Sequence, residues 1–262
     1  MSEWPADEQD PRDVMIKGRD ELQKAYQDDR VAREYVGRRF VSPLGAMLHA
    51  RQTRVVQQLI RDHAIQQAAE IAPGPARVTV DIAPLLQRVT LVDASSQMLQ
   101  EARRNLAQRG TAARTTFVQG DAFQLPFKAQ FDLVYTFRLI RHFQREDREK
   151  LYRQIAAILS SQGWLVFDAV NELVSAPLRA RAQPGEYEHF DALLRPDGLR
   201  EELRASGFNL ISLTGVQRRY AALVKCQIYL APRSRLLARA AMEVLDRLGG
   251  EPLEWIVVCR RG

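Results

Sequence analysis

The chain has 262 residues and a formal net charge of +6 at neutral pH, and 46% of its residues are hydrophobic. This length fits one α/β domain with additions, and the balanced composition excludes a disordered or fibrous protein. No apolar run reaches the roughly eighteen residues that cross a bilayer, and the acidic N-terminal segment has no signal-peptide pattern. We therefore expect a cytoplasmic protein. Its arginines are spread along the chain, so nucleic-acid binding is not expected.

The first 62 residues predict a polar leader followed by a helical cap. Pro5 and Pro11 interrupt the leader, and helical patterns follow over residues 19–40 and about 46–62. The second pattern carries an apolar face suited to packing on a sheet. We therefore divide the chain into a leader and cap (1–62) and a larger domain (63–262).

From residue 63 onward, strand and helix patterns alternate. This alternation predicts a doubly wound, mostly parallel seven-stranded α/β sheet, covered by helices on both faces. Residues 172–195 break the pattern with Pro177, Pro184 and Gly185, and predict an insertion that roofs a substrate. The strands are expected to end at Ile71 and to span 89–92, 115–118, 131–136, 164–170, 208–214 and 253–259, with helices at 76–84, 96–108, 145–159, 199–205 and 236–248.

Small residues occupy alternate positions in the loop after the first strand. Ala72, Gly74 and Ala76 would let a ligand approach the backbone, although an ordinary Pro/Gly loop fits the same residues. No Walker-type lysine follows the loop, and Pro75 removes an N–H that could bind a phosphate. A ligand bound here would therefore lack phosphates.

Carboxylates follow the second and third strands. Asp93 stands about twenty residues after the glycine-containing loop, where it can accept ribose hydroxyls or cap the next helix. Asp121 follows Gly120 and can accept the amine of an adenine beside Phe123, although a simple turn is the alternative. Together the loop and the two acids favour a phosphate-free nucleoside such as S-adenosylmethionine.

The segment 70–171 resembles class I S-adenosylmethionine-dependent methyltransferases, especially the quinone-biosynthesis-like, type 11 group. The similar motifs, in chain order, are EIAPGPA, LVDASSQML, QGDAFQLPF, FDLVYTFRLIRHF and SSQGWLVFDAVN. Ala72 and Ala76 depart from the family's glycines. The resemblance implies a Rossmann-like fold, S-adenosylmethionine as cofactor, and cofactor-binding residues Glu70, Ala72, Gly74, Ala76, Asp93, Ala94, Met98, Gly120, Asp121, Ala122, Phe123 and Thr136, with Tyr35 from the cap.

Candidates for the transfer step follow the fourth strand. Methyl transfer is an in-line displacement in which the protein aligns the acceptor and excludes water. His142 could serve as a general base, although a structural, half-buried histidine fits equally well. Arg138 could hold an anionic or carbonyl group, whereas Arg141 is predicted to be a solvated helix residue. The other histidines lack ligand spacing, so we assign no metal.

The leading hypothesis is a methyltransferase acting at O or C of a small or lipid-like molecule. A non-catalytic binding or scaffold protein of the same fold is the second hypothesis, and RNA methylation is the third. The predicted helix at 234–248 has apolar and arginine faces, which fit an amphiphilic substrate or peripheral contact with a membrane. Packing of its apolar stripe on the sheet is the simpler alternative.

Overall fold

The computed structural model of the protein describes residues 42–183, 187 and 190–262. The predicted leader, the first cap helix and Tyr35 lie outside these residues. The strands are β1 (Gln67–Ile71), β2 (Arg88–Asp93), β3 (Thr115–Gln119), β4 (Phe131–Thr136), β5 (Leu159–Asn171), β6 (Leu193–Leu194), β7 (Phe208–Arg218) and β8 (Pro252–Arg261). The α-helices are α1 (Pro43–Asp62), α2 (Thr79–Ile82), α3 (Ser96–Gln108), α4 (Arg145–Ile158), α5 (Glu172–Arg179), α6 (Pro196–Ala205), α7 (Tyr220–Lys225) and α8 (Arg235–Arg247).

One sheet organises the described residues, in the strand order β3-β2-β1-β4-β5-β8-β7, with β6 paired to β5. Only β8 runs antiparallel to its neighbours among these strands, so β7 points the same way as β1 to β5. The predicted doubly wound, mostly parallel sheet is confirmed, with the two-residue β6 as an addition. The chain order reverses between β1 and β4, where ligands bind in such sheets.

The sheet is buried on both faces because helices cover each side. Successive residues of a strand point to opposite faces, and the central strand β4 shows the consequence. Leu133 joins a core with helices α1 to α3, and its neighbour Val134 joins a separate core with α4 and α6. The apolar run of β4 therefore serves two cores at once.

Local caps explain where several helices begin. Ser42 accepts a hydrogen bond from the Gly45 N–H at the start of α1, and Ser95 accepts one from Met98 at the start of α3. Asn171 caps α5 in the same way through the Leu173 N–H. The predicted insertion at 172–195 therefore begins with a helix.

A helical excursion joins β7 to β8 and packs on α1. It consists of α7, a π-helical turn at Cys226–Leu230, and α8. Arg51 of α1 donates hydrogen bonds to Glu243 (2.8 Å) and Asp246 (3.3 Å) of α8. Because β7 is parallel to β1, the excursion leaves the sheet at its carboxyl edge. Within the described ranges, no helix is both long and apolar enough to cross a membrane.

Candidate active site

A cleft lies at the carboxyl ends of the strands, at the point where the strand order reverses. It holds about 1140 Å³ of empty space, part of it open to solvent. The sequence-predicted residues that line the cleft are Glu70, Ala72, Gly74, Asp93, Ala94, Met98, Gly120, Asp121, Ala122, Phe123, Arg138 and His142.

Two predicted site residues lie outside this lining. Ala76 is fully buried in the core that includes helices α1 to α3. Thr136 is fully buried at the end of β4, and its hydroxyl has no hydrogen-bond partner among the described residues. Both residues lie close to strand ends that face the cleft, but each is fully buried.

The loop after β1 has an unusual backbone. Ala72, Gly74 and Ala76 all have positive φ values, of 52°, 54° and 59°. Alanine in this left-handed region costs about 1–2 kcal/mol because its Cβ crowds the following carbonyl. The alternation of small residues that the sequence showed therefore matches alternate left-handed positions. Strain of this kind concentrates at ligand-binding loops.

Asp93 fastens the loop after β1 to the start of α3. One carboxylate oxygen accepts from the Gly74 N–H at 3.0 Å, and the other accepts from the Ser95 N–H at 2.9 Å. Burial raises the pKa of Asp93 to about 6. Each oxygen keeps a lone pair that can accept a further hydrogen bond from a ligand.

Asp121 lies on the wall beside Asp93. Its carboxylate accepts from the Phe123 N–H at 2.9 Å, and the Gly120 N–H donates to the Asp93 carbonyl at 3.0 Å. A Cβ at Gly120 would come within 3.3 Å of the Val92 side chain, so the two strand ends approach closely here. The two predicted carboxylates thus share one cleft.

A buried polar chain lies beneath the loop after β1. Glu70 accepts a hydrogen bond from the Thr79 hydroxyl, which also pairs with the Tyr135 hydroxyl at 2.7 Å. Burial raises the pKa of Glu70 to about 7. Glu70 therefore exchanges protons close to physiological pH. No sequence pattern indicated Thr79 or Tyr135 as members of the site.

Arg138 and His142 follow β4 on the other side of the cleft. Arg138 has a φ of 63°, and its N–H donates to the Asp168 carboxylate at 2.6 Å. The His142 Nδ1 lies 2.8 Å from the Phe190 carbonyl oxygen, so Nδ1 must be the donor. Burial lowers the pKa of His142 to about 4. The ring is therefore neutral at physiological pH, with Nε2 as its basic nitrogen.

Arg141 is the centre of a buried ion cluster. The prediction that it is solvated is wrong, because only 4% of the residue is exposed. Its guanidinium contacts Asp168 (3.1 Å), Asp191 (2.7 Å) and Glu254 (2.7 Å). These acids lie 27 to 113 residues further along the chain, so no local pattern could reveal them.

Asp191 connects this ion cluster to His142. It accepts from Arg141 and, at 2.5 Å, from Arg179 of α5, and it lies 3.2 Å from the His142 ring. Burial acts to raise the pKa of Asp191, but the charge and hydrogen bonds of Arg141 outweigh it and lower the pKa to about 2. Asp191 is therefore a permanent anion beside His142.

Arg77 is a lining residue that the sequence analysis missed. Its guanidinium lies 2.9 Å from the His49 ring and also contacts Gln52, both on α1. It lies 5.9 Å from the centre of the Phe137 ring. Helix α1 therefore positions a cation in the cleft. The residues described here contain no cluster of three or more potential metal ligands.

The strand order and the antiparallel β8 match the Rossmann-like fold of methyltransferases of known structure. Residues 68–163 match the family described as "Methyltransferase domain". Over these residues the chain is therefore similar to methyltransferases, in agreement with the sequence resemblance.

Proteins of known structure or function are similar to the chain at low sequence identity. The chain is 28% identical over 176 residues to the O-methyltransferase cnsE of Penicillium expansum. The aligned segment covers 64% of this chain and 60% of that protein. The magnesium protoporphyrin IX methyltransferase of Synechocystis, solved with bound SAH, is 15% identical with a TM-score of 0.61, over 84% of this chain and 86% of that one. An S-adenosylmethionine-dependent methyltransferase from Clostridium acetobutylicum is 12% identical with a TM-score of 0.62, over 82% of this chain and 92% of that one.

Proposed function

We propose that the protein transfers a methyl group from S-adenosylmethionine to a small or lipid-like acceptor, at O or C. The observation that carries this proposal is the pair of carboxylates, Asp93 and Asp121, in one cleft at the carboxyl edge of the sheet. The relative from Penicillium expansum is named as an O-methyltransferase, which favours oxygen as the acceptor atom.

The residues of the cleft fit S-adenosylmethionine. Asp93 can accept the ribose hydroxyls, and Asp121 can accept the adenine amine while Phe123 lies against the ring. Pro75 offers no N–H to a phosphate, and Arg77 is a cation that suits the carboxylate of the methionine part. The cofactor, when bound, supplies a methyl group that is already activated.

The protein's own part in the reaction is alignment, exclusion of water and handling of one proton. Phe123, Phe137 and Phe143 line the cleft and keep water from the acceptor. His142 can take the proton of an acceptor hydroxyl at Nε2, and Arg138 can balance the oxyanion. Because its pKa is about 4, His142 is a weak base, and it suits acidic hydroxyls such as phenols and enols.

A cytoplasmic location and a peripheral membrane contact complete this proposal. The basic charge of +6 is compatible with an anionic acceptor. A non-catalytic scaffold of the same fold was the second sequence hypothesis, but no observation in the cleft favours it.

Transfer of a labelled methyl group tests the proposal. S-adenosylmethionine carrying a tritiated methyl group would be incubated with the protein and with matched phenols, enols and aliphatic alcohols. We expect label in the phenols or enols, and a loss of about 100-fold or more in the His142→Ala variant, as for other general bases. His63→Ala is the matched control, because His63 lies at the opposite edge of the sheet, stacked on Trp164. Equal activity of both variants would remove His142 from the mechanism.

A further inference from the structure

Exposed apolar side chains are concentrated in the excursion between β7 and β8. Ten large hydrophobic residues are exposed among the described residues, and seven of them lie between residues 228 and 248. We call these seven the C-terminal apolar face: Ile228, Tyr229, Leu230, Leu236, Leu237, Val244 and Leu248. Exposed apolar side chains that are concentrated in one segment indicate an interaction site.

Helix α8 is apolar on two sides, and only one side is covered. Ala238 and Met242 are buried on the side that faces α1 and α7. On the other side Leu236, Val244 and Leu248 recur at multiples of four residues and are 78%, 59% and 60% exposed. The simpler sequence interpretation, in which the apolar stripe packs on the sheet, therefore does not account for the exposed side of the helix.

The surroundings of the C-terminal apolar face are basic. Arg233, Arg235, Arg239 and Arg247 are exposed on the same turn and helix. The acids of α8, Glu243 and Asp246, both accept hydrogen bonds from Arg51 of α1. Positive charge around an uncovered apolar face opposes pairing of two copies and complements an anionic surface.

The position of the face connects it with the cleft. The excursion leaves β7 at the carboxyl edge of the sheet, where the cleft also lies. Helix α1 joins the two regions, since Arg51 contacts α8 and His49 contacts Arg77 in the cleft wall. A surface that binds this face would therefore lie at the same edge of the sheet as the cleft.

We propose that the C-terminal apolar face binds the surface of membranes that contain anionic phospholipids. The exposed leucines enter the boundary between headgroups and acyl chains, and the arginines contact lipid phosphates. This binding needs neither cofactor nor catalysis, so it stands or falls independently of the proposed methyl transfer.

Co-sedimentation with vesicles tests the proposal. The full chain would be mixed with phosphatidylcholine vesicles, with or without about one third phosphatidylglycerol, at low and high salt. We expect binding to the anionic vesicles that weakens with salt. The double change Leu236→Asp and Val244→Asp should weaken it at least about tenfold, because it removes two inserted side chains and adds two negative charges. The double change Arg235→Glu and Arg239→Glu should weaken binding to the anionic vesicles more at low salt than at high salt.

The matched control makes the same change elsewhere on the surface. Leu85 and Ile211 are 37% and 53% exposed outside the excursion, and their double change to Asp should leave vesicle binding unaltered. Circular dichroism would confirm that each variant is folded. The proposal would be overturned if the wild type did not bind anionic vesicles, or if the control variant lost as much vesicle binding as the Leu236→Asp, Val244→Asp variant. A concentration-dependent dimer that disappears in the Leu236→Asp, Val244→Asp variant would instead assign the face to a second copy.

Discussion

Asp93 has two tasks that the cleft geometry combines in one side chain. It accepts hydrogen bonds from the Gly74 and Ser95 N–H groups, and its remaining lone pairs can accept hydrogen bonds from a ligand in the cleft. The alternative interpretation of Asp93 as the cap of the next helix is wrong, because Ser95 caps that helix, and the ribose contact stays a prediction. The structural task also means that a substitution here changes the loop as well as the ligand contact.

Asp93→Ala should weaken the binding of S-adenosylmethionine by about 1–3 kcal/mol, through loss of charge-assisted hydrogen bonds. Titration calorimetry would measure the change. Asp132→Ala is the matched control, because Asp132 also accepts from two backbone N–H groups, those of Gln66 and Gln67, at the amino end of β1. That variant should lose stability but keep its affinity for the cofactor. Equal affinity in both variants would count against the placement of the ribose.

The raised pKa of Glu70 predicts that the stability of the fold depends on pH. Its pKa rises from 4.5 unfolded to about 7 folded, so the folded state binds more protons between these values. The contribution of Glu70 to the free energy of unfolding is fully present below pH 4.5 and is lost as the pH rises through 7. Glu70→Gln removes the titration, so the stability of the variant relative to wild type should improve by about 3 kcal/mol between pH 4.5 and 8. Urea unfolding at both pH values measures this difference, and a parallel response of the two proteins would refute it.

The lowered pKa of His142 predicts how the reaction rate depends on pH. With a pKa of about 4 it remains neutral at pH 5.5, whereas an ordinary histidine would be largely protonated there. Because Glu70 and Asp93 titrate over the same range, the profile is measured in the Glu70→Gln variant with saturating S-adenosylmethionine. There we expect kcat/KM for an acceptor that does not itself titrate to change by less than about twofold between pH 5.5 and 7.5. A decline of about tenfold over this range would show that the base has an ordinary histidine pKa.

The ion cluster around Arg141 connects several secondary-structure elements. It joins the loop after β4 to β5, α5, β8 and the segment before β6 through four charged partners. Asp191 brings two of these arginines and His142 together. The predicted insertion is therefore attached to the cleft wall by charge as well as by packing.

Asp191→Ala should destabilise the fold by about 3 kcal/mol, because it removes the acidic partner of Arg179 and one of the three acids around Arg141. Chemical unfolding near neutral pH would measure the loss. Asp197→Ala is the control, since the Asp197 side chain is 94% exposed beside Arg200 and should not change stability measurably. A stability of the Asp191→Ala variant close to that of wild type would show that the cluster contributes nothing to holding the insertion.

At the scale of the whole molecule, local patterns predicted the sheet and the edge that carries the cleft. Alternating strands and helices imply parallel strands, whose carboxyl ends meet, so Asp93 and Asp121 could be expected to lie together. Local patterns could not predict the positions of Arg77 and Arg141, because their contacts are with α1, β8 and the segment before β6, which are distant in sequence. An isolated arginine gives no sign of whether it will be buried.

Calorimetric titration with S-adenosylhomocysteine, beside ATP, tests the central claim of a cleft for phosphate-free adenosine. We expect S-adenosylhomocysteine to bind the folded wild-type protein at one site, and ATP to give no comparable heat. Folded protein that releases no heat with S-adenosylhomocysteine, or that binds ATP as tightly, would contradict the claim.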